Sequence, residues 1–351
     1  MATSGTVATT VFQTRKVIDH AFRRIGLAPQ QVTSEHIDTA LDLLFLELSA
    51  LGNRGIPLWT VEPILLPLYF RVARVPTPPG TIDVFNVDLR TSQRLSGTNT
   101  ASEGIADNAF DANIDTACTQ VTPAGNITMM LDSATGIPIF GLLPNVTGTW
   151  DVTFQFSDDG ITYTDIFTRP ELEVVNGEWF WADVEGVTNH QYWRLQANGL
   201  TVLDVRELVF QNNPNSIDMY KRNRDDYSNL PNATRTGRPT QFWYNKTRQQ
   251  PEITLWPVPD AESTFRQITG FLHRQIQDVG TMQQEVECPQ RWYLAITMQL
   301  AKHLIKEIKE ADKQLIPVVE QDAAYELARA WDGEGDGSAA FLRVNIGPYT
   351  A

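Results

Sequence analysis

This sequence is poor in cysteine, in long apolar runs and, across its central part, in positive charge. Its two cysteines, Cys118 and Cys288, lie far apart in the chain, which argues against a disulfide framework and favours a reducing compartment. The richest apolar stretch, residues 64–70, is short and contains a proline, so we expect no membrane-spanning segment. The first ten residues lack a basic region followed by an apolar core, and we therefore expect no signal peptide.

Charge is distributed unevenly along the chain. Residues 1–80 contain 7 Lys and Arg against 6 Asp and Glu, and residues 214–351 contain 16 against 18. Residues 81–213 contain 5 against 18 and no lysine, so the three balances of +1, −2 and −13 sum to the net charge of −14. Such a shift in composition predicts a separate module. It also argues against duplex DNA as a ligand of that module, because phosphate binding needs clustered Lys and Arg.

Apolar residues recur at helical spacing on both sides of the acidic segment. Before it, residues 14–25 predict one helix, and Thr33 or Ser34 predicts the cap of a second. The apolar seam of that second helix is Ile37, Leu41, Leu44, Leu48 and Leu51. After the segment, Pro289 is predicted to open a helix that runs to about Lys309, and Pro317 to open a last one. The two pairs predict one discontinuous helical bundle.

The central segment is all-β in character. Short alternating runs, such as residues 150–156 and 192–196, are separated by turn sequences such as Asp158-Asp159-Gly160. Strands are also predicted at residues 66–75 and 81–89. The predicted fold is therefore α+β, with a helical-bundle scaffold and β hairpins carrying an inserted antiparallel β-sandwich. The predicted divisions are 1–90 and 214–332 for the scaffold, 91–213 for the sandwich and 333–351 for a C-terminal tail.

Six stretches of the scaffold occur in a fixed order. They are residues 17–26, 79–85, 224–232, 237–244, 253–260 and 289–292. Together they resemble the tailed-phage head-to-tail adaptors of the podovirus tail accessory factor type. The resemblance implies a twelvefold ring in the virion neck, assembled in the host cytoplasm, between the portal protein and a tail nozzle or tail tube protein. DNA would pass through the channel without specific binding, and the protein would be a structural component and not an enzyme.

Four stretches of the central segment carry a second resemblance. They are residues 106–116, 154–163, 192–195 and 205–210. They resemble discoidin-like, galactose-binding jelly-roll modules. The resemblance implies a structural Ca²⁺ ion, which matching positions would hold through oxygen atoms of Asp111, Asn113, Thr116 and Glu207. Two positions depart from the pattern, because Ala112 replaces the usual glycine and Cys118 the usual tryptophan. The alternative is a solvated turn whose side chains bond to their own backbone.

No catalytic motif is present in the sequence. The five histidines are scattered, and none has the spacing of a metal site or of an activated nucleophile. One alternative to the adaptor is a module that binds host glycans or that braces a tail fibre. In the glycan-binding alternative, Trp179, Phe180 and Trp181 would stack on sugar rings, although a role in the core is favoured for some of them. A carbohydrate-active enzyme would need a pair of carboxylates at glycosidase spacing, for which a short bundle offers no obvious cleft.

The end of the chain contains apolar residues beyond the last predicted helix. A glycine-rich hinge over residues 333–338 precedes them. The adaptor resemblance implies that this tail docks on the portal, whereas the alternative is a frayed terminus. The residues predicted to dock are Phe341, Leu342, Val344, Ile346 and Tyr349.

Overall fold

The computed structural model describes residues 13–54 and 58–334 of the chain. The fold of this part is α+β. Most of its strands form antiparallel sheets, two of which pack face to face, and four of its helices share one hydrophobic core. This confirms the predicted α+β class and the antiparallel sandwich. Within the same ranges, no helix is long and apolar enough to cross a membrane.

The helices and strands have the following bounds. The helices are α1 (Thr14–Arg24), α2 (Ser34–Arg54), α3 (Arg224–Ser228), α4 (Tyr293–Glu307) and α5 (Ile316–Asp332). The first nine strands are β1 (Val61–Pro67), β2 (Arg74–Pro76), β3 (Thr81–Arg94), β4 (Thr98–Ala101), β5 (Cys118–Thr119), β6 (Asn126–Thr135), β7 (Ile139–Pro144), β8 (Gly148–Ser157) and β9 (Thr164–Val174). The others are β10 (Phe180–Asp183), β11 (His190–Ala197), β12 (Asp204–Asp218), β13 (Tyr220–Arg222), β14 (Thr236–Gly237), β15 (Gln241–Asn245), β16 (Glu252–Trp256), β17 (Val258–Pro259) and β18 (Gln267–Arg274).

Helices α1, α2, α4 and α5 share one core, and we call these four helices the helical body. Helix α1 ends before Gly26, whose φ of 80° lies in the left-handed region that favours glycine. Thr33 caps α2, because the backbone N–H of His36 donates to its hydroxyl oxygen at 3.3 Å. Helix α5 begins at Ile316 with Pro317 in its first turn, as predicted. Helices on both sides of the sandwich are thus joined by packing.

Helix α4 packs against all three other helices of the body. The body therefore depends on α4, which comes from the second half of the chain, to cover apolar faces from the first half. The α4 residues that are buried in this core include Ile296, Leu300 and Leu304. The residues of the predicted α2 seam that are buried here are Leu44, Leu48 and Leu51.

One seven-stranded sheet runs through both the scaffold and the sandwich. Its order is β1-β18-β3-β12-β7-β10, and β5 also pairs with β12. The first part of β3 pairs with β18 of the scaffold, and the last part of β12 pairs with β3, with Ile217 opposite Leu89. The first part of β12 instead pairs with β7 of the sandwich, with Phe210 opposite Phe140. The predicted boundaries at residues 90 and 213 thus fall inside β3 and β12.

The sandwich forms between this sheet and a five-stranded sheet of order β4-β6-β11-β8-β9. Aromatic side chains from both sheets fill the space between them. The Phe140 ring of the first sheet lies 5.0 Å, centroid to centroid, from Phe154 of the second, in an edge-to-face arrangement. Trp193 is fully buried, and its indole N–H donates to the His190 carbonyl oxygen at 3.0 Å. Alternation along β8 and β11 therefore leaves the other side chains on an outer, polar face.

A second aromatic cluster joins the sandwich to the scaffold. Trp179 and Trp181 stack with their ring centroids 4.8 Å apart, and Trp179 lies edge-on to Phe265 of the scaffold. The Trp179 backbone N–H donates to the Tyr69 hydroxyl at 3.1 Å. Trp179 and Trp181 are 8% and 9% exposed, and Phe180 packs against the sandwich core. Stacking on sugars is therefore wrong for Trp179 and Trp181, because scaffold residues cover them, and Phe180 packs against the sandwich core instead.

Two predicted elements differ in their bounds. Residues 66–75 do not form one strand, since β1 ends at Pro67 and β2 begins at Arg74. Arg71 between them has a φ of 59°, a conformation that a strand does not contain. The third helix of the body begins at Tyr293, because residues 290–292 form a 3₁₀ turn that follows Pro289. Strand β2 pairs with β16, at the edge of a four-stranded sheet of order β13-β15-β16-β2.

Candidate functional site

Residues 105–117 form a loop that covers part of β12, and we call it the acidic loop. It begins with a 3₁₀ turn over residues 106–109, after which the Phe110 ring packs 5.9 Å from Phe210 of β12. Ala112 then adopts a φ of 64°, the left-handed conformation for which a glycine would be favoured. Ile114 packs in the aromatic cluster that joins the two lobes. Packing at both of its ends thus holds the acidic loop on β12.

Glu207 lies on β12 beneath the acidic loop. The register of β12 against β7 shifts between Val205 and Glu207, which is a β-bulge. Alternation beyond the bulge puts Glu207 on the same side as Val209 and away from the sandwich core, which contains Leu208. Glu207 is 0% exposed, so its carboxyl group is removed from water. Neither of its carboxyl oxygens forms a well-aligned hydrogen bond with another described residue, although the Asp111 carboxyl group and the Asn113 backbone lie close enough to influence its pKa.

Burial and charge both disfavour an ionised Glu207. Burial first, and then the nearby charge of Asp111, raise the pKa of Glu207 to about 8, while the charge of Arg94 acts in the opposite direction. The structure therefore brings together Asp111 and Glu207, two of the four predicted ligands, from distant parts of the sequence. Two carboxyl groups lie close together here, one of them buried, and the charge of Arg94 only partly offsets the cost of ionising Glu207.

Asn113 and Thr116, the other two predicted ligands, bond within the acidic loop. The Asn113 backbone N–H donates to Asp111 Oδ1 at 2.8 Å, and the Asn113 side-chain oxygen accepts from the Asp115 N–H at 3.2 Å. The Thr116 hydroxyl lies 2.9 Å from Asp111 Oδ2 and 2.8 Å from the Asn113 carbonyl oxygen. These contacts are those of the alternative prediction, a turn that bonds to its own backbone. They leave the buried oxygens of Glu207 unexplained.

A hard cation fits this arrangement. Across residues 13–54 and 58–334, no three His, Cys, Asp or Glu side chains converge as a metal-binding group. Ca²⁺, however, accepts backbone carbonyl and water oxygens as well as carboxylates. Asp111 and Glu207 would hold such an ion, and the ion would supply the positive charge that the buried Glu207 carboxylate lacks. The Ca²⁺ site remains a prediction, with these two residues as its best-supported ligands.

A row of polar side chains crosses the outer face of the five-stranded sheet. We call Arg194 of β11, Gln155 of β8, Asp165 of β9 and the adjacent Tyr163 the outer-face network. Arg194 lies opposite Gln155, and Gln155 lies opposite Asp165, so the three side chains are cross-strand neighbours. The Arg194 Nε–H donates to Gln155 Oε1 at 2.5 Å, and the Gln155 amide donates to Asp165 Oδ1 at 2.5 Å.

The Arg194 guanidinium group also stacks on an aromatic ring. Its Cζ atom lies 3.5 Å from the centroid of the Tyr163 ring. Partial burial lowers the pKa of Arg194, whereas the nearby Tyr163 and Asp165 raise it. Within the part of the chain that the structure describes, only Nε of this guanidinium has a hydrogen-bond partner. The terminal Nη groups are therefore held in place by stacking and remain available as donors.

Sequence reasoning missed the outer-face network. Arg194 lies between the buried residues Trp193 and Leu195, so strand alternation alone indicates that it faces outward. Nothing in the sequence indicates that Tyr163 lies beneath it. The tail residues predicted to dock on the portal, Phe341, Leu342, Val344, Ile346 and Tyr349, lie outside the described residues.

The two cysteines are free thiols. Cys118 is buried, and burial followed by the charge of Asp204 raises its pKa. Cys288 is half-buried, and burial raises its pKa to about 12. A raised pKa leaves little thiolate near neutral pH, so neither thiol has the properties of a reactive nucleophile.

Comparison with known proteins gives structural matches alone. No protein-family model matches the chain, and the search of curated proteins finds no match. One match is the CBM32 module of AlyQ, which was solved in complex with 4,5-unsaturated mannuronic acid. The match covers 34% of this chain and 97% of that module, with 16% sequence identity and a TM-score of 0.31. Over 35% it matches 98% of the CBM62 module of Clostridium thermocellum Xyl5A, at 18% identity and a TM-score of 0.30.

A third match is chitosan-binding module 1 from the chitosanase/glucanase of Paenibacillus sp. IK-5. It has 19% identity and a TM-score of 0.29, over 34% of this chain and 96% of that module. All three proteins are named as carbohydrate-binding modules. At sequence identities and TM-scores this low, the function of these modules cannot be assigned to this chain. None of the three comparisons supports the head-to-tail adaptor family.

Proposed function

We propose that this protein is a binding protein, not an enzyme, whose β-sandwich binds a glycan through the outer-face network. The observation that carries the proposal is the Arg194 guanidinium, stacked on Tyr163 with its Nη groups available. Sugars present hydroxyl groups that both donate and accept hydrogen bonds, together with C–H faces that pack on aromatic rings. Arg194 supplies donors and Asp165 supplies acceptors, while the Tyr163 ring holds the Arg194 guanidinium in place.

The outer-face network is also preorganised for binding. Three cross-strand neighbours on adjacent strands are fixed by the register of the sheet, so little side-chain freedom remains to be lost. The neighbouring turn is fixed as well, because Gly160 has a φ of 70° and lies directly against the Tyr192 ring. A few fixed polar groups beside an aromatic surface are typical of sites that recognise small polar ligands.

The test is a glycan array with the full chain, followed by calorimetric titration of the best glycan. The full chain is needed because a 91–213 fragment would cut through β3 and β12. Arg194→Gln should lower the affinity about tenfold or more, since a charge-assisted hydrogen bond contributes roughly 1.5–3 kcal/mol. The matched control is Arg169→Gln, because Arg169 is exposed, lies over Phe167 and pairs opposite the core residue Val152.

The control should bind like the unmodified chain. Two results would overturn the proposal: no glycan bound by the full chain on the array, or equal affinities for the Arg194→Gln and Arg169→Gln variants. Circular dichroism spectra of both variants should match that of the unmodified chain, because both arginines lie outside the hydrophobic core.

The head-to-tail adaptor is a second candidate function, and one surface feature favours it. The helical body leaves large apolar side chains exposed although its core is filled. They are Phe45 and Leu46 on α2, Leu294 on α4, and Val318 and Tyr325 on α5. Contacts between copies in a closed ring would cover such residues. The two functions are compatible, because a ring would present many copies of the outer-face network and raise the avidity for a glycan surface.

A further inference from the structure

A cavity of about 450 Å³ lies where the scaffold meets the sandwich, and we call it the junction cavity. Strand β3 contributes Ser92 and Arg94 to its lining, and the segment before β18 contributes Glu262, Phe265 and Arg266. Part of the acidic loop, at residue 112, forms another wall. The outer-face network does not line this cavity, so a ligand bound here would occupy a separate site.

The charge on the lining of the junction cavity is mainly positive. Arg94 is exposed, and its Cζ atom lies 4.9 Å from the centroid of the Phe265 ring. No carboxylate of the described residues forms a salt bridge with Arg94 within 4.0 Å, although the segment 81–213 has 18 acidic residues. Arg266 forms an ion pair with Glu262, and its side chain is 17% exposed against 78% for Glu262. Two guanidinium groups and one largely solvated carboxylate therefore line the cavity, and Glu207, on which the charge of Arg94 acts, lies nearby outside the lining.

The uncharged polar lining offers one buried group for a ligand. The Ser92 hydroxyl is buried and has no hydrogen-bond partner among the residues that the structure describes. Gln211, by contrast, already has partners for both ends of its side chain, because its amide N–H donates to the Phe265 carbonyl oxygen at 2.7 Å and its amide oxygen accepts from Gln267 at 3.3 Å. A buried hydroxyl without a partner beside a cavity of this size indicates that water or a ligand bonds to it.

We infer that the junction cavity binds a small monoanionic hydroxy-carboxylate, such as a uronic acid, between Arg94 and Arg266. The planar fork of Arg94 matches a carboxylate, and stacking on Phe265 holds that fork in place. Ser92 bonds to the ligand, and Glu262 accepts hydrogen bonds from its hydroxyl groups. The same Glu262 carboxylate repels a dianion such as phosphate, which favours a ligand with a single negative charge.

Calorimetric titration of the full chain with sodium glucuronate tests this inference, with glucose and inorganic phosphate titrated in parallel. Glucuronate should bind at least tenfold more tightly than either. Arg94→Gln should lower the glucuronate affinity at least tenfold, and Ser92→Ala about three- to tenfold. Arg94→Lys should bind with intermediate affinity, since it keeps the charge and loses the fork. Arg194→Gln, which alters the outer-face network, should bind glucuronate like the unmodified chain.

The inference is wrong if glucuronate does not bind at millimolar concentration, if phosphate binds as tightly, or if Arg94→Gln and Ser92→Ala leave the affinity unchanged. Loss of glucuronate binding in Arg194→Gln alone would assign the anion to the outer-face network and also overturn it. A failure of glycan binding on the array leaves this test intact, because the two sites share no residue. Should Arg94→Gln not fold, the Ser92→Ala and Arg94→Lys variants carry the test.

Discussion

When a chelator removes calcium and the pH is raised from 5 to 7.5, the free energy of unfolding should fall because of Glu207. In the folded chain, burial and the charge of Asp111 raise the pKa of Glu207 to about 8 from an ordinary value of 4.5. Between these two values the folded chain holds a proton that the unfolded chain has released. Stability from this group is therefore present below pH 4.5 and is lost as the pH rises towards 8.

The size of this loss follows from the two pKa values. Each unit of pKa difference corresponds to about 1.4 kcal/mol, so a single group with these values contributes a loss of about 3 kcal/mol between pH 5 and 7.5. That is a large part of the stability of an ordinary domain, which is roughly 5–15 kcal/mol. Calcium should remove the loss, because an ion held by Asp111 and Glu207 takes over from the proton as the neutralising charge.

Urea denaturation, followed by the fluorescence of the 9 tryptophans, measures the effect at each pH. Glu207→Gln should reduce the loss of stability between pH 5 and 7.5 by about 3 kcal/mol relative to the unmodified chain, and it should abolish the response to calcium. The matched control is Asp115→Asn, which removes an exposed carboxylate from the same acidic loop and should keep both. Other groups with shifted pKa values, such as Asp88 and His273, are present in the unmodified chain and in both variants. Their contributions to the pH dependence of stability therefore cancel when the variants are compared. Equal slopes in the unmodified chain and Glu207→Gln would refute this reasoning.

Two further predictions concern the lobe junction and the helical body. Trp179→Ala should lower the free energy of unfolding by about 3–5 kcal/mol, because it empties the space between Trp181 and Phe265. In urea denaturation the control Val175→Ala, at an exposed position, should cost less than about 0.5 kcal/mol. If the chain is an adaptor, native mass spectrometry of the full chain should show a closed ring. A monomer at every concentration would count against that function.

Much of the local structure could be predicted from the sequence, because helix faces and tight turns depend on residues close together in the chain. The buried seam of α2 at Leu44, Leu48 and Leu51 follows from helical periodicity alone. The turn at Asp158-Asp159-Gly160 forms as predicted, with Gly160 at a φ of 70°. The approach of Asp111 to Glu207 was predicted through a family resemblance and not through periodicity.

Features that depend on contacts between distant segments could not be predicted. The sequence favours a core role for some of residues 179–181 but does not show which of them stack on sugars, because nothing near Trp179 and Trp181 indicates that Tyr69 and Phe265 cover them. The junction cavity was missed for the same reason, since its two arginines come from β3 and from the segment before β18. Whether a side chain is buried depends on the segment that packs against it. A single sequence does not show which distant segments pack together.

The sheet shared by the two lobes has a consequence for synthesis of the chain. Strand β3 leaves the ribosome well before its partner β12, since residues 95–203 lie between them. Helices α1 and α2 likewise lack their packing partner until α4, which begins at Tyr293, has been synthesised. At about 5–20 residues per second, the apolar face of α2 stays uncovered for roughly 10–50 s. We therefore expect this protein to be most prone to aggregation, and most dependent on a chaperone, after its first half has been synthesised and before α4 emerges.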